Sequence, residues 1–225
     1  SAMKILLVTR GSQGDIYPYL TIASALIKLG HQVTLNLPQI FEKEAKAYQL
    51  DYVLQDFDDI QGMVSKAGEK SEGAKPYLKW MRDVIDVQFK QLIPLLKEHD
   101  ILIATNSEFA AASVADYCQK PFIRTAFAPF IPGRHIPPPI FPYPIFTPRF
   151  IWKLLNIGNN YMTQKTINKN REQLGLKPLK NCGYYSTERA FNYMLYSRYL
   201  GNTDPDWKYK WDIGGYCFND ALHYD

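Results

Sequence analysis

The feature that most constrains this chain is a short apolar run near its start, Lys4-Ile5-Leu6-Leu7-Val8-Thr9, in which polar and apolar residues do not alternate. A half-exposed strand alternates, so an unbroken run of this length reads as a strand covered on both faces, as in a parallel sheet. Gly11 and Gly14 end the run. From Tyr17 to Leu29 the residues Leu20, Ile22, Ala23, Leu26, Ile27 and Leu29 recur at helical spacing, with Gly30 placed as a C-terminal cap. Gln32-Val33-Thr34-Leu35-Asn36-Leu37 then reads as a second strand and completes a βαβ unit.

The alternation continues. Phe41 to Tyr48 reads as a helix, Asp51-Tyr52-Val53-Leu54 as a third strand, and the polar stretch Asp56 to Gly73 as a loop. A long helical pattern runs from Pro76 to Glu98, with Pro94 as the place for a bend, before a fourth buried strand, Ile101-Leu102-Ile103-Ala104. Phe109 to Tyr117 is the next helix and Pro121-Phe122-Ile123-Arg124-Thr125 the fifth strand. Phe150 to Leu174 reads as one long helix or two shorter ones closed by Gly175, and Ala190 to Leu200 as a last strand. Asn202 to Tyr216, rich in Asp, Pro and Gly, reads as a linker. Repeated βα units of this kind predict an α/β fold, a Rossmann-like doubly wound parallel sheet. Ligands then sit beyond the carboxyl ends of the strands, and functional residues lie just after them.

Composition narrows the function. With 26 Lys and Arg against 22 Asp and Glu, the net charge is +4, which argues against a nucleic-acid arm or an acidic tail. A hydrophobic share of 46 % over 225 residues suits one large domain. Cys118, Cys182 and Cys217 are too widely spaced for a disulfide framework or a CxxC site, which points to a reducing compartment and away from structural zinc. No run reaches the roughly 20 apolar residues of a membrane span, and the N-terminus lacks the pattern of a signal peptide, so a cytoplasmic location is expected. Ser1-Ala2 ahead of Met3 reads as the scar of a cleaved expression tag.

Between Pro129 and Pro148 the composition shifts: eight of the 15 prolines fall there, interleaved with Phe130, Ile131, Ile136, Ile140, Phe141, Tyr143, Ile145 and Phe146. Proline removes backbone donors and fixes φ, so this segment is neither helix nor central strand but an extended loop. The other distinctive stretch is Gly11-Ser12-Gln13-Gly14-Asp15-Ile16-Tyr17-Pro18, which joins the first strand to the first helix. A glycine turn there exposes backbone N–H groups and a helix N-terminus, a place for an anion. It has neither the GxGxxG spacing of a dinucleotide site nor the Lys-Ser/Thr of a P-loop. Asp15 also suits the helix N-cap. His31 and His99 read as structural, His135 lies within the proline loop, and no histidine stands at metal-ligand spacing, so no metal is expected.

These residues resemble a known family. Gly11-Ser12-x-Gly14-Asp15-x-x-Pro18 directly after a first strand, followed by Leu20 to His31, is similar to the opening of the GT-B glycosyltransferases, in the branch of sterol glucosyltransferases and glycopeptide-antibiotic glycosyltransferases. Asn168-Lys169-x-Arg171-x-x-Leu174-Gly175-Leu176-x-Pro178 resembles a later segment of the same branch. Asp204-Pro205-x-Trp207 with Ile213-x-Gly215-Tyr216 resembles its passage between domains.

The resemblance implies an acceptor-binding domain over residues 3–203, the start of an interdomain linker over 204–225, and a donor-binding C-terminal domain beyond this chain. It implies an inverting transfer of a hexose from a UDP- or dTDP-sugar to a hydroxyl of an apolar acceptor such as a sterol, lipid or natural-product aglycone. The alternative is a stand-alone binding module for an apolar or glycosylated ligand. Asp15 becomes the candidate base, with N-capping as a compatible second role. Gly11, Ser12, Gln13 and Gly14 form a turn on the donor side. Phe127, Phe130, Ile131, His135, Ile136 and Phe141 become candidates for an acceptor wall, unless those aromatics only fill the core; Trp80 and Met81 line the same cleft or merely pack. No cofactor is expected beyond the nucleotide sugar as co-substrate. The expected partners are the apolar acceptor, the nucleotide sugar held mainly by the C-terminal domain, and a membrane touched peripherally, with no nucleic acid.

Overall fold

The computed structural model describes residues 1–11, 13–56, 73, 75–136, 138–139, 147–196 and 203–214. Its elements in chain order are β1 (Lys4–Val8), α1 (Gln13–Lys28), β2 (Gln32–Leu37), a 3-10 turn (Gln39–Phe41), α2 (Glu42–Ala47), β3 (Asp51–Leu54) and α3 (Lys75–Lys97). They continue with β4 (Ile101–Thr105), α4 (Ala111–Cys118), β5 (Phe122–Ala126), α5 (Pro148–Gln173), α6 (Tyr185–Arg189), β6 (Phe191–Met194) and β7 (Trp211–Ile213). The seven strands form one parallel sheet in the order β3-β2-β1-β4-β5-β6-β7. This is the doubly wound, Rossmann-like α/β architecture expected from the repeated apolar runs. The chain reverses direction across the sheet between β1 and β4, and the crevice at that switch point is where such sheets take ligands.

β1 shows why its run does not alternate. Ile5 and Leu7 pack on one face with Ile16, Tyr19, Leu20 and Ala23 of α1. Leu6 and Val8 pack on the other with Met81, Ile85, Phe89 and Leu92 of α3. Both faces are covered, so both sets of side chains are apolar. α3 runs continuously through Pro94, and α5 is a single helix. Among the described residues, no helix is long and apolar enough to cross a membrane.

The second familiar segment is an architectural one. Asn168 exchanges hydrogen bonds with the Leu179 backbone, its Nδ2 donating to the carbonyl at 2.9 Å and its Oδ1 accepting from the N–H at 2.8 Å. Arg171 reaches from α5 to Asp116 at 2.9 Å and to Ser113 at 2.9 Å. Gly175, at φ 75°, ends the helix where a side chain would be strained.

Three expectations need correction. α1 begins at Gln13 rather than Tyr17, so Gln13 and Gly14 are helical, Asp15 lies inside the first turn rather than at the cap, and Pro18 is within the helix. The last strand ends at Met194, well before Leu200. The stretch read as linker is part of the domain as far as Gly214. Asp204 and Trp207 are buried, and Trp211–Ile213 adds β7 beside β6. Its Trp residues supply apolar area that polar spacing alone concealed: with Ile131, Met194 and Tyr196, Trp207 forms a third small core. The predicted loop over Asp56 to Gly73 lies almost wholly outside the described residues, as do Ser12, Phe141, Cys217 and His223.

Candidate active site

Beyond the carboxyl ends of β1, β4 and β5 lies a cavity of about 470 Å³. Each strand sends a short segment to it: Arg10, Gly11 and Asp15 follow β1, Asn106, Ser107 and Phe109 follow β4, and Phe127, Ala128 and Phe130 follow β5. The remaining wall is one face of α3, where Tyr77, Trp80, Met81 and Val84 recur at helical spacing. Five aromatic rings and three aliphatic or thioether side chains surround few polar groups, the composition of a pocket that orients a largely apolar ligand.

Asp15 lines this cavity, and Thr9 and Gly11 set its position. The Thr9 hydroxyl donates to the Asp15 carbonyl at 3.0 Å. Gly11 adopts φ 117°, a conformation that favours glycine, and a Cβ built there would collide with Asp15 Oδ2 and stand 3.0 Å from the carboxyl carbon. The glycine thus permits the carboxylate to fold back over the turn. A carboxylate in the first turn of a helix is also favoured by the partial positive charge of the N-terminus.

Two buried cations organise the walls. Arg10 Nε meets Glu108 Oε1 at 3.2 Å, with side-chain exposures of 5 % and 0 %. Burial pushes the Glu108 carboxyl up, and Arg10 opposes the rise. Among the described residues, Glu108 Oε2 has no hydrogen-bond partner, which adds a desolvation cost beside Arg10. Arg124, in β5, donates to Asn192 Oδ1 at 3.1 Å and to the Phe130 carbonyl at 3.1 Å, and so holds the Phe130 wall against β6. Burial lowers its pKa to about 10.

The residues proposed from sequence divide. Asp15, Gly11, Trp80, Met81, Phe127 and Phe130 line the cavity. Gln13 and Gly14 open α1 and are not among its lining residues. Ile131, His135 and Ile136 do not line it either. Ile131 is fully buried in the third core, where its carbonyl accepts from Trp207 Nε1 at 3.1 Å. The Ile136 carbonyl accepts from Trp152 Nε1 at 2.7 Å. His135 Nδ1 lies 3.0 Å from Asp204 Oδ1. Among its described residues, the chain from Phe127 to Ile136 is therefore cavity wall at Phe127, Ala128 and Phe130 and core at Ile131, because Trp207 returns from far along the chain to cover Ile131.

His135, Asp204 and Asp206 bring three potential metal-ligand atoms within 4.8 Å of one another. The Asp204 carboxylate is already engaged by backbone N–H groups of His135 at 2.6 Å, Ile136 at 3.2 Å and Asp206 at 2.9 Å. Burial would raise its pKa, but these bonds and the His135 side chain outweigh that and hold the carboxyl at about 2. The group reads as a loop clasp.

Arg10, Tyr77, Val84, Asn106, Ser107 and Phe109 were not singled out from sequence. Asn106 and Ser107 obey the rule that functional residues follow strands, so the signal was present. Tyr77 and Val84 are one helical turn from Trp80 and Met81, so periodicity pointed to them as well.

Residues 5–137 match the family model of the glycosyltransferase family 28 N-terminal domain. The chain belongs to this family. It is 26 % identical over 230 residues to the UDP-sugar-dependent glycosyltransferase 52 of Dictyostelium discoideum, a match that covers 95 % of this chain and 13 % of that protein. It is 25 % identical over 138 residues to a sterol 3-beta-glucosyltransferase of Eremothecium gossypii, covering 58 % of this chain and 11 % of that protein. Among solved structures, the calicheamicin glycosyltransferase CalG4 superposes with a TM-score of 0.70 at 16 % identity, over 95 % of this chain and 53 % of that one. The chain thus spans about half of a solved GT-B enzyme and a small part of its curated relatives. In this family 28 domain, the cavity and Asp15 occupy the crevice at the sheet's switch point.

Proposed function

We propose that this domain is the acceptor half of an inverting glycosyltransferase that moves a hexose from a UDP- or dTDP-sugar to a hydroxyl of an apolar acceptor. One observation carries the reading: a carboxylate, Asp15, lines an aromatic-walled cavity at the switch point of the sheet. The names of the relatives, a UDP-sugar-dependent enzyme and sterol glucosyltransferases, support the donor and acceptor classes.

The acceptor's apolar body lies against Trp80, Met81, Phe127 and Phe130, with its hydroxyl directed to Asp15. An alcohol is a weak nucleophile, so Asp15 takes its proton as the oxygen bonds to the anomeric carbon. The bond from that carbon to the diphosphate breaks on the opposite face and inverts the centre, and the electron pair leaves with the nucleoside diphosphate. N–H groups of the Gly11 to Gly14 turn and the start of α1 are the donors this half offers to the departing charge. Most of the grip on the nucleotide comes from the partner domain. The reaction, in the cytoplasm, needs no cofactor besides the sugar nucleotide, and peripheral contact with a membrane brings the enzyme to its acceptors.

Calorimetry of this domain against sterols and aglycones, with UDP and dTDP in parallel, tests the division of labour. Acceptor binding without nucleotide binding is expected, and tight nucleotide binding by this half alone would refute it. In the full-length enzyme Asp15→Asn lowers kcat by about 10²–10⁴ while acceptor affinity is kept. Unchanged turnover removes Asp15 from the mechanism.

A further inference from the structure

Away from the Asp15 cavity, α5 presents an exposed face of unusual composition. Leu154, Ile157 and Tyr161 are 49 %, 56 % and 74 % exposed, and Phe150, one turn earlier, is exposed as well. At about 100° per residue these positions fall within an arc of roughly 60°, so they form a single stripe along the helix. The solvent face of a helix in a soluble domain is ordinarily polar, and large side chains in a row there mark a contact surface.

Positive charge flanks the stripe. Lys153 precedes Leu154 on one side, and Lys165 lies on the other. Along the Lys153 flank a second cavity, of about 370 Å³, is lined by Arg134, Arg149, Lys153 and Lys208, with Asp206 as the one carboxylate among the described lining residues. Arg134 approaches Asp206 at 3.5 Å. Among the described residues no salt bridge joins Arg149, Lys153 or Lys208 to a carboxylate. Lysine is depleted from the cores of protein interfaces but favoured beside the apolar face of a helix lying in a membrane interface. Tyrosine, with an apolar ring and a polar tip, suits the same depth.

We propose that the exposed face of α5 and the basic cavity on its flank form a docking surface for membranes that contain anionic phospholipid. Leu154, Ile157 and Tyr161 enter the interface, and Arg149, Lys153, Lys208 and Arg134 meet lipid phosphates. The inference rests on the membrane contact proposed above and names its surface. It is independent of acceptor binding in the Asp15 cavity, which calorimetry reads separately.

Flotation of this chain with vesicles tests it. The chain rises with phosphatidylcholine vesicles containing phosphatidylglycerol, stays behind with phosphatidylcholine alone, and binds less as salt is added. Leu154→Glu with Ile157→Glu, and separately Arg149→Glu with Lys153→Glu, each weaken binding by about tenfold or more, with unchanged thermal melts. The salt series on the unmodified chain remains decisive even if a variant fails to fold. Absence of binding, equal binding to neutral vesicles, or folded variants that bind as well as the parent overturn the proposal. So does self-association in sedimentation that Leu154→Glu abolishes, since the occupant is then a second copy of the chain.

Discussion

Two glycine–aspartate pairs in this molecule share one local device and differ in what surrounds it. At Gly11 a Cβ would collide with Asp15 Oδ2, and at Gly133 a Cβ would collide with Asp204 Oδ2 and lie 3.1 Å from Trp207. In each case the missing side chain lets a carboxylate sit against the backbone. Asp204 is 1 % exposed and accepts from three backbone N–H groups, so its oxygens close a loop. Asp15 lines a cavity of about 470 Å³. The contrast teaches that a close Gly–Asp contact is not itself a sign of chemistry. A carboxylate buried against three backbone donors holds structure, and one that lines a cavity can meet a substrate.

Substitutions separate the two. Asp204→Ala leaves three donors without their acceptor and is expected to lower stability by about 3 kcal/mol, a fall in Tm of roughly 6–12 °C at this size. Asp15→Ala is expected to lower stability by less than Asp204→Ala does, since Asp15 lines a cavity whereas Asp204 is buried against three backbone donors. Equal melting losses in differential scanning calorimetry would erase the distinction.

Gly133→Ala should come next, at about 1–3 kcal/mol, because the added methyl displaces Asp204 from its donors. Gly11→Ala is expected to carry a similar backbone penalty, and in the full-length enzyme to lower transfer also, because the methyl drives the carboxylate from its place. A variant that melts lower yet turns over normally would show that the position of Asp15 over the turn is immaterial.

The smallest effect is in pH. The hydrogen bond to Asp204 raises the pKa of His135 above its ordinary 6.5. Its stabilising contribution is therefore complete below that value and is lost as pH rises through the raised pKa. For Asp204 the sign is opposite. Its carboxyl is held at about 2 against an ordinary 3.8, so its contribution is present above 3.8 and is lost as pH falls through about 2. Melting curves of the parent and of His135→Asn across the neutral range should converge toward alkaline pH. Parallel curves would remove His135 from the clasp.

Much of the fold is readable in the order of residues alone. The runs Ile5–Val8 and Leu102–Ala104 lack alternation because strands buried on both faces need apolar side chains on both. The position of Asp15 just beyond β1 follows from the same reasoning. What stays hidden depends on residues distant along the chain. Arg10 and Glu108 are 98 positions apart, and no local pattern marks either as the other's partner. Trp207 lies 76 positions from the Ile131 carbonyl it binds, so the return that makes Ile131 a core residue could not be inferred from composition. The polar tract around Asp204 reads as linker for the same reason: its burial is supplied by elements elsewhere.

By itself, then, the sequence determined the order of strands and helices, the faces they bury and the carboxylate that follows the first strand, because periodicity and turn chemistry act over a few residues. Only the tertiary structure decided which aromatics wall the cavity and which fill the core, how the buried charges pair, and that the apparent linker completes the sheet. Those outcomes depend on which distant surfaces meet and exclude water together.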